Sequence, residues 1–164
     1  MPVHIPPELL KMILTQSEKD YPNETCGILT GPKEDQARVT GIFPCRNVQD
    51  GYHSLDPANF PRTARTAYYI NPSDLLRIQK EARETGCEIR VIYHSHTDAG
   101  AYFSEEDQRI ALSEGEPAYP GVSYLVAAVL KGKAKEVSVF DWDEKKKVFL
   151  GQPLEEVPPK KSQK

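Results

Sequence analysis

Apolar residues first recur at helical spacing near the start of the chain. Leu10, Ile13 and Leu14 share a stripe with Ser17, which predicts an amphipathic helix over Pro7 to Lys19. Pro6 and Pro7 suit its first turn, where a missing N–H costs nothing. Cys26 to Thr30 is a short apolar run that ends at Gly31 and reads as a strand; a second strand is expected over Gln36 to Arg46. Asn71-Pro72-Ser73-Asp74 is a helix start, with Asn as cap, Pro at the first position and Asp in the first turn. Leu75, Ile78 and Ala82 continue that helix, and Gly86 stops it. Glu88 to Tyr93 reads as a buried strand, and Ser104 to Leu112 opens another helix. Val122 to Leu130 and Lys135 to Trp142 read as strands, and Val148 to Leu150 completes a hairpin after a turn near Asp143-Glu144. The order predicts one α/β domain, mixed α and β around a single sheet, over residues 1–150.

Two stretches fall outside this pattern. Asn47 to Ala67 is rich in Pro, Asn, Asp, Ser and Gly and has no period; a long irregular stretch in a compact domain reads as a binding loop or lid, or as disorder. The tail from 151, ending in Pro158-Pro159-Lys160-Lys161, has little to bury and is expected to be disordered.

Composition narrows the function classes. The 164 residues carry a formal net charge of −3 and are 38% hydrophobic, so nothing advertises nucleic acid or an anionic membrane surface. Met1-Pro2-Val3-His4-Ile5 lacks the basic and apolar regions of a signal peptide, and no apolar run is long enough to span a bilayer, so a cytoplasmic location is expected. The cysteines, Cys26, Cys45 and Cys87, form no CxxC pair and read as small core residues.

The candidate chemistry lies at His94-Ser95-His96. Seven residues separate His96 from Ser104, and two more separate Ser104 from Asp107. Alternate side chains on a strand share a face, so both imidazoles would project together, with Asp107 one turn into the following helix. Two histidines and a carboxylate make a three-ligand zinc set with a fourth position free, which distinguishes catalytic from structural zinc. Ser104 to Asp107 is equally a capping box, which alone would explain both residues; the two readings can coexist. A metallo-β-lactamase HxHxDH is excluded, because Ala99 stands where the histidine is needed and no histidine follows His96. HExxH, PCxxC, GxxxxGK[ST] and GxGxxG patterns are absent.

The spacing H-[ST]-H-x7-S-x2-D resembles the JAMM (MPN-plus) motif of zinc metallo-isopeptidases. Glu24-Thr25-Cys26-Gly27-Ile28-Leu29-Thr30-Gly31 resembles that family's upstream E-x-C-G-x-L-x-G segment, and the resemblance runs from Val3 to Leu150. It implies a three-layer-like MPN domain of cytidine-deaminase-like fold, with a central mixed sheet flanked by helices. It implies one Zn2+ per chain on His94, His96 and Asp107. It makes Glu24 the base that takes a proton from the attacking water and passes it to the leaving amine, and Ser104 a donor to the oxyanion. Thr97 departs from the family, which usually carries proline after the second histidine; loop shape and substrate choice are affected rather than chemistry. The short chain resembles the small prokaryotic members, which implies as substrate a ubiquitin-like β-grasp sulfur carrier with a Gly-Gly tail, or its amino-acid conjugate. A general peptidase or small-amide hydrolase and a non-catalytic MPN scaffold are the alternatives. The Asn47–Ala67 segment is expected to form a wall of the cleft. Tyr52, Phe60, Tyr102 and Phe103 either contact substrate or pack, and an exposed apolar helix face would permit a homodimer.

Overall fold

The computed structural model describes residues 3–154. The elements are helix α1 (Pro7–Asp20), strands β1 (Cys26–Pro32) and β2 (Gly41–Cys45), helices α2 (Gln49–Leu55) and α3 (Pro72–Glu84), strand β3 (Cys87–Thr97), helix α4 (Glu105–Ala111), the short strands β4 (Leu112–Ser113) and β5 (Glu116–Pro117), and strands β6 (Ser123–Leu130), β7 (Lys133–Asp143) and β8 (Val148–Pro153). Six strands form one mixed sheet in the order β2-β1-β3-β6-β7-β8, and β4 and β5 pair separately. Only the central β3–β6 pair of the large sheet is parallel.

The period of two along the strands sorts side chains into two cores. Leu29 of β1, Val91 and Tyr93 of β3, and Leu125 and Ala127 of β6 face Leu10 and Ile13 of α1. Ile28, Ile92 and Tyr124 face the other way, against Ile78 of α3 and Ala111 of α4. The sheet is therefore the middle of three layers. His94 and His96 share parity with Ile92, so both imidazoles emerge on the α3–α4 face.

Gly27 shows why the β1 segment needs a glycine. A methyl group there would sit 2.1 Å from Cζ of the buried Tyr93, whose hydroxyl donates to Gln16 Oε1 at 2.6 Å. Gly27→Ala must move that ring out from under α1. It is expected to destabilise the domain by about 1–3 kcal/mol, read as a lower midpoint in a urea melt.

Several sequence expectations shift. The second strand is shorter than Gln36 to Arg46: Asp35 accepts from Ala37 N in a turn, Arg38 bridges His4, and pairing with β1 starts only at Gly41. The aperiodic segment contains α2, and its remainder is tied back by hydrogen bonds from Gln49 Nε2 to Arg62 O and from Ala64 N to Asp50 Oδ1. The hairpin strand β8 runs past 150 to Pro153, and Leu154 N donates to Val137 O at 2.8 Å, so the tail expected to be disordered from 151 begins as sheet. Residues 155–164 lie outside the described residues. Cys26 and Cys45 are buried as expected, whereas Cys87 is half-exposed at the start of β3. The large exposed apolar side chains carried by helices, Met12, Leu55 and Leu76, belong to three different helices. No helix of the described residues is long and apolar enough to cross a membrane.

Candidate metal centre

Strand β3 carries both histidines near its end, and β1 runs antiparallel beside it with Cys26 opposite His94. The pairing continues upstream: Ser95 N donates to Thr25 O at 3.2 Å, and Thr25 N donates to Ser95 Oγ at 2.7 Å. That register brings Glu24 opposite His96. Asp98 then turns the chain with φ 58, its carboxylate accepting from Tyr21 OH and Lys131 N. The chain returns through α4, which Ser104 caps. Ser104 Oγ accepts from Asp107 N, and Asp107 Oδ2 accepts from Ser104 N, both at 3.0 Å. The capping box is real, and it is also what aims Asp107 at the imidazoles.

The three side chains converge. Asp107 Oδ1 lies 3.1 Å from His94 Nε2, and Asp107 Oδ2 lies 3.0 Å from His96 Nε2. One candidate ligand atom from each residue lies within 4.8 Å of the others, and all three residues are buried. The local hydrogen bonding points to a cation. His96 Nδ1 lies 2.8 Å from the Gly100 carbonyl, which can only accept, so Nδ1 carries the hydrogen and a neutral ring presents a lone pair at Nε2. His96 Nε2 lies 3.0 Å from Asp107 Oδ2, and an ion held by both would take the place of that contact. Both nitrogens of the fully buried His94 have no hydrogen-bond partner among the described residues. The approach of its Nε2 to Asp107 has the distance of an ion pair without the geometry of a hydrogen bond. Orphaned buried nitrogens are costly, and an ion between two imidazoles and a carboxylate would satisfy the one that faces Asp107, His94 Nε2. The donor set fits a divalent metal of the zinc type.

Electrostatics follow the same arrangement. Burial works against the Asp107 charge, but the adjacent His94 and His96 outweigh it and hold the carboxyl below the usual aspartate range. Glu24 goes the other way: burial, then the Asp107 charge, push its carboxyl well above the usual range, and Arg62 opposes them. Glu24 Oε1 is buried and unpartnered.

The Asn47–Ala67 segment forms the facing wall. The Asn47 amide donates to Glu24 O and Ala67 O, and its oxygen accepts from Gln49 N and Tyr69 N. Glu24 N donates to Ala64 O, and Ala64 N to Asp50 Oδ1. Between wall and sheet is a cleft of about 90 Å³, lined by Glu24, His96 and Ser104 together with Arg62, Arg65 and Tyr102. Tyr102 meets His96 edge-on, with ring centroids 4.9 Å apart, and is 54% exposed. Tyr52 and Phe60 stack on each other beside Tyr69, and Phe103 packs with Tyr124, Phe140 and Phe149. Of the four aromatics singled out in the sequence, Tyr102 alone lines this cleft.

The model of the prokaryotic homologs of the JAB domain matches residues 6–144. The chain belongs to this family. The JAB assignment agrees with the JAMM and MPN resemblance of the motif and with the three-layer fold. Two curated relatives are similar to this JAB chain over part of their length. The CysO-cysteine peptidase of Mycobacterium tuberculosis is 27% identical over 104 residues, covering 63% of this chain and 62% of the relative. The desampylase of Haloferax volcanii is 28% identical over 109 residues, covering 66% and 65%. The chain thus spans less than two thirds of the length of each. Among solved structures, a Desulfitobacterium hafniense protein superposes with a TM-score of 0.63 at 21% identity, covering 90% of this chain and 86% of that one. A Salinibacter ruber protein gives 0.61 at 24% identity, covering 93% and 88%. These two likenesses establish the fold.

All five site residues chosen from the sequence meet at this one place. Four neighbours did not stand out beforehand. Arg62 and Arg65 sit in the aperiodic wall. Tyr68 stacks on His94 at 4.4 Å and covers one side of the group. The Gly100 carbonyl, which orients His96, is a backbone group with no sequence signal. The Arg62-x-x-Arg65 spacing was the only available hint.

Proposed function

We propose that the chain is a zinc-dependent hydrolase that cleaves an amide or isopeptide bond at the C-terminus of a ubiquitin-like, Gly-Gly-tailed protein of the sulfur-carrier type. The observation that carries this reading is the meeting, in one cleft, of the buried Glu24 carboxylate, whose Oε1 is unpartnered, with His96 of the His94–His96–Asp107 group. The names of the two curated relatives, a CysO-cysteine peptidase and a desampylase, support it.

His94, His96 and Asp107 would hold one zinc ion per chain. Zinc, when bound, supplies a Lewis acid that polarises a carbonyl and makes water nucleophilic near neutral pH. Glu24 acts as general base: burial raises its proton affinity, so its carboxylate takes the proton of the attacking water and delivers it to the departing amine. Ser104 Oγ already accepts from Asp107 N, so its own hydrogen is available to donate to the carbonyl oxygen as negative charge develops there. The narrow cleft suits a glycine tail, because only glycine lets a backbone approach so closely.

Ser104→Ala separates two roles. It is expected to cost about 0.5–2 kcal/mol in a chemical melt through the lost helix cap, and about 100- to 1,000-fold in kcat through the lost donor. A variant that shows only the melt deficit would leave Ser104 as a cap alone.

The proposed function is tested with a panel of Gly-Gly-ending β-grasp carriers, each extended by one amino acid at its C-terminus. Mass spectrometry should find carriers trimmed to Gly-Gly by the zinc-loaded chain and intact after chelation. Trimming of unrelated unstructured peptides at equal rate would favour a general peptidase. No trimming of any carrier would contradict the proposal.

A further inference from the structure

The cleft contains more positive charge than the reaction described above uses. Arg62 and Arg65 both line it beside Glu24 and Ser104. Among the described residues neither guanidinium has a carboxylate within ion-pair distance. Arg62 spends one N–H on Thr66 O, 3.0 Å away, which leaves most of its donor fork unused. Asp98, whose charge feels Arg65, is already engaged by Tyr21 and Lys131.

These arginines do not sit on a loose loop. Gln49, itself buried, donates from Nε2 to Arg62 O at 2.9 Å. Ala64 between them is fixed to Asp50, and its carbonyl accepts from Glu24 N. Thr97 Oγ1 donates to Arg65 O at 2.6 Å. Thr97 stands where relatives with the motif usually carry proline, and proline has no hydroxyl to make this bond. The departure from the motif and the arginine wall are therefore one feature: β3 ties down the segment that holds Arg65 over the site.

We propose that Arg62 and Arg65 form a carboxylate clamp for the leaving group, so that the preferred substrate is a Gly-Gly tail joined to the α-amine of a free amino acid, not to a lysine side chain. This rests on the hydrolase reading above and specifies its leaving group. The hydrolysis is the same: the C–N bond breaks, water adds to the acyl carbon, and the proton goes to the amine. In an α-amino acid the carboxylate carbon is only about 2.5 Å from that amine nitrogen. The amine departs toward Glu24, so the carboxylate must lie within a few ångströms of Glu24, a position hostile to negative charge unless cations adjoin it. Arg62 and Arg65 are those cations, and a guanidinium fork matches a carboxylate. A lysine ε-amine brings no carboxylate to that place and leaves the clamp unused. Arg62 and Arg65 determine specificity, and Thr97 is a positioning residue.

The test uses the carrier panel in two matched forms: Gly-Gly-alanine as the free acid, and as the C-terminal carboxamide. Wild type should prefer the acid by about 10- to 100-fold in kcat/KM, the range of a hydrogen bond to a charged group. Arg62→Gln and Arg65→Gln should bring the acid-to-amide ratio toward one. Thr97→Val should raise KM for the acid form more than for the amide, and Thr97→Ser should restore it. Equal cleavage of acid and amide by wild type would overturn the clamp and leave the hydrolase reading standing. So would variants that slow both forms alike, or faster cleavage of a Gly-Gly–Nε-lysyl conjugate. Zinc-loaded wild type that cleaves neither form would overturn both readings.

Discussion

Glu24→Gln is expected to keep its zinc and its fold and to lose about 100- to 10,000-fold in turnover, the range of a positioned general base. The substitution is nearly isosteric. The Glu24 backbone stays anchored by Ala64 and Asn47, so the β1–wall junction is unchanged. What disappears is the ability to accept and return a proton. Metal-free protein offers a second readout. Burial, then Asp107, raise the Glu24 carboxyl well above the usual glutamate range. An acid whose folded pKa is raised gives stability that is full below its unfolded pKa and is lost as pH rises through the folded value. Glutamine has no such component. Relative to wild type, Glu24→Gln should therefore gain stability as pH rises above the ordinary glutamate range. Full turnover in this variant would remove Glu24 from the mechanism.

Removing the Asp107 carboxylate is expected to have the largest effect on metal content. Asp107→Ala deletes one of three ligands and should take bound zinc from about one per chain to none, with turnover falling to background. It also deletes the acceptor for Ser104 N, so a helix-capping loss of about 1 kcal/mol is expected on top. Asp107→Asn isolates the first effect, because its amide oxygen can still accept from Ser104 N while the anionic ligand is gone. Asn should keep the cap and still lose the zinc, as measured by a melt and metal analysis on the same preparations. Zinc retention at wild-type level by both variants would show that Asp107 serves only as a cap.

The site was legible because its residues lie on elements with strong local signals. His94 and His96 follow an apolar strand, so the period of two put both on one face. Ser104 and Asp107 carry a capping box, and the cap geometry that fixes the start of α4 is the same geometry that aims the carboxylate. Asn71 caps α3 as its sequence predicts, accepting from Ser73 N and Asp74 N. Helix α2 was not legible. Gln49 to Leu55 has no apolar stripe; only Gln49 is buried, and the segment is held by polar side chains whose partners are distant in sequence. Asn47 alone joins Glu24, Ala67 and Tyr69, and such long-range polar satisfaction leaves no period to read. Strand β2 was overextended for a related reason: Val39 is apolar and buried, but it packs on α1 ahead of the ladder. The short β4–β5 pair, two residues a side, is below the length at which alternation can be seen.

The most direct test of the central claim is the zinc content of the purified chain. Elemental analysis of wild type, prepared without chelator and then supplied with zinc and desalted, should give about one zinc per chain, with Asp107→Asn treated identically giving none. Wild type that takes up no zinc would contradict the metal centre, and would reduce the Ser104–Asp107 pair to the helix cap that it also is.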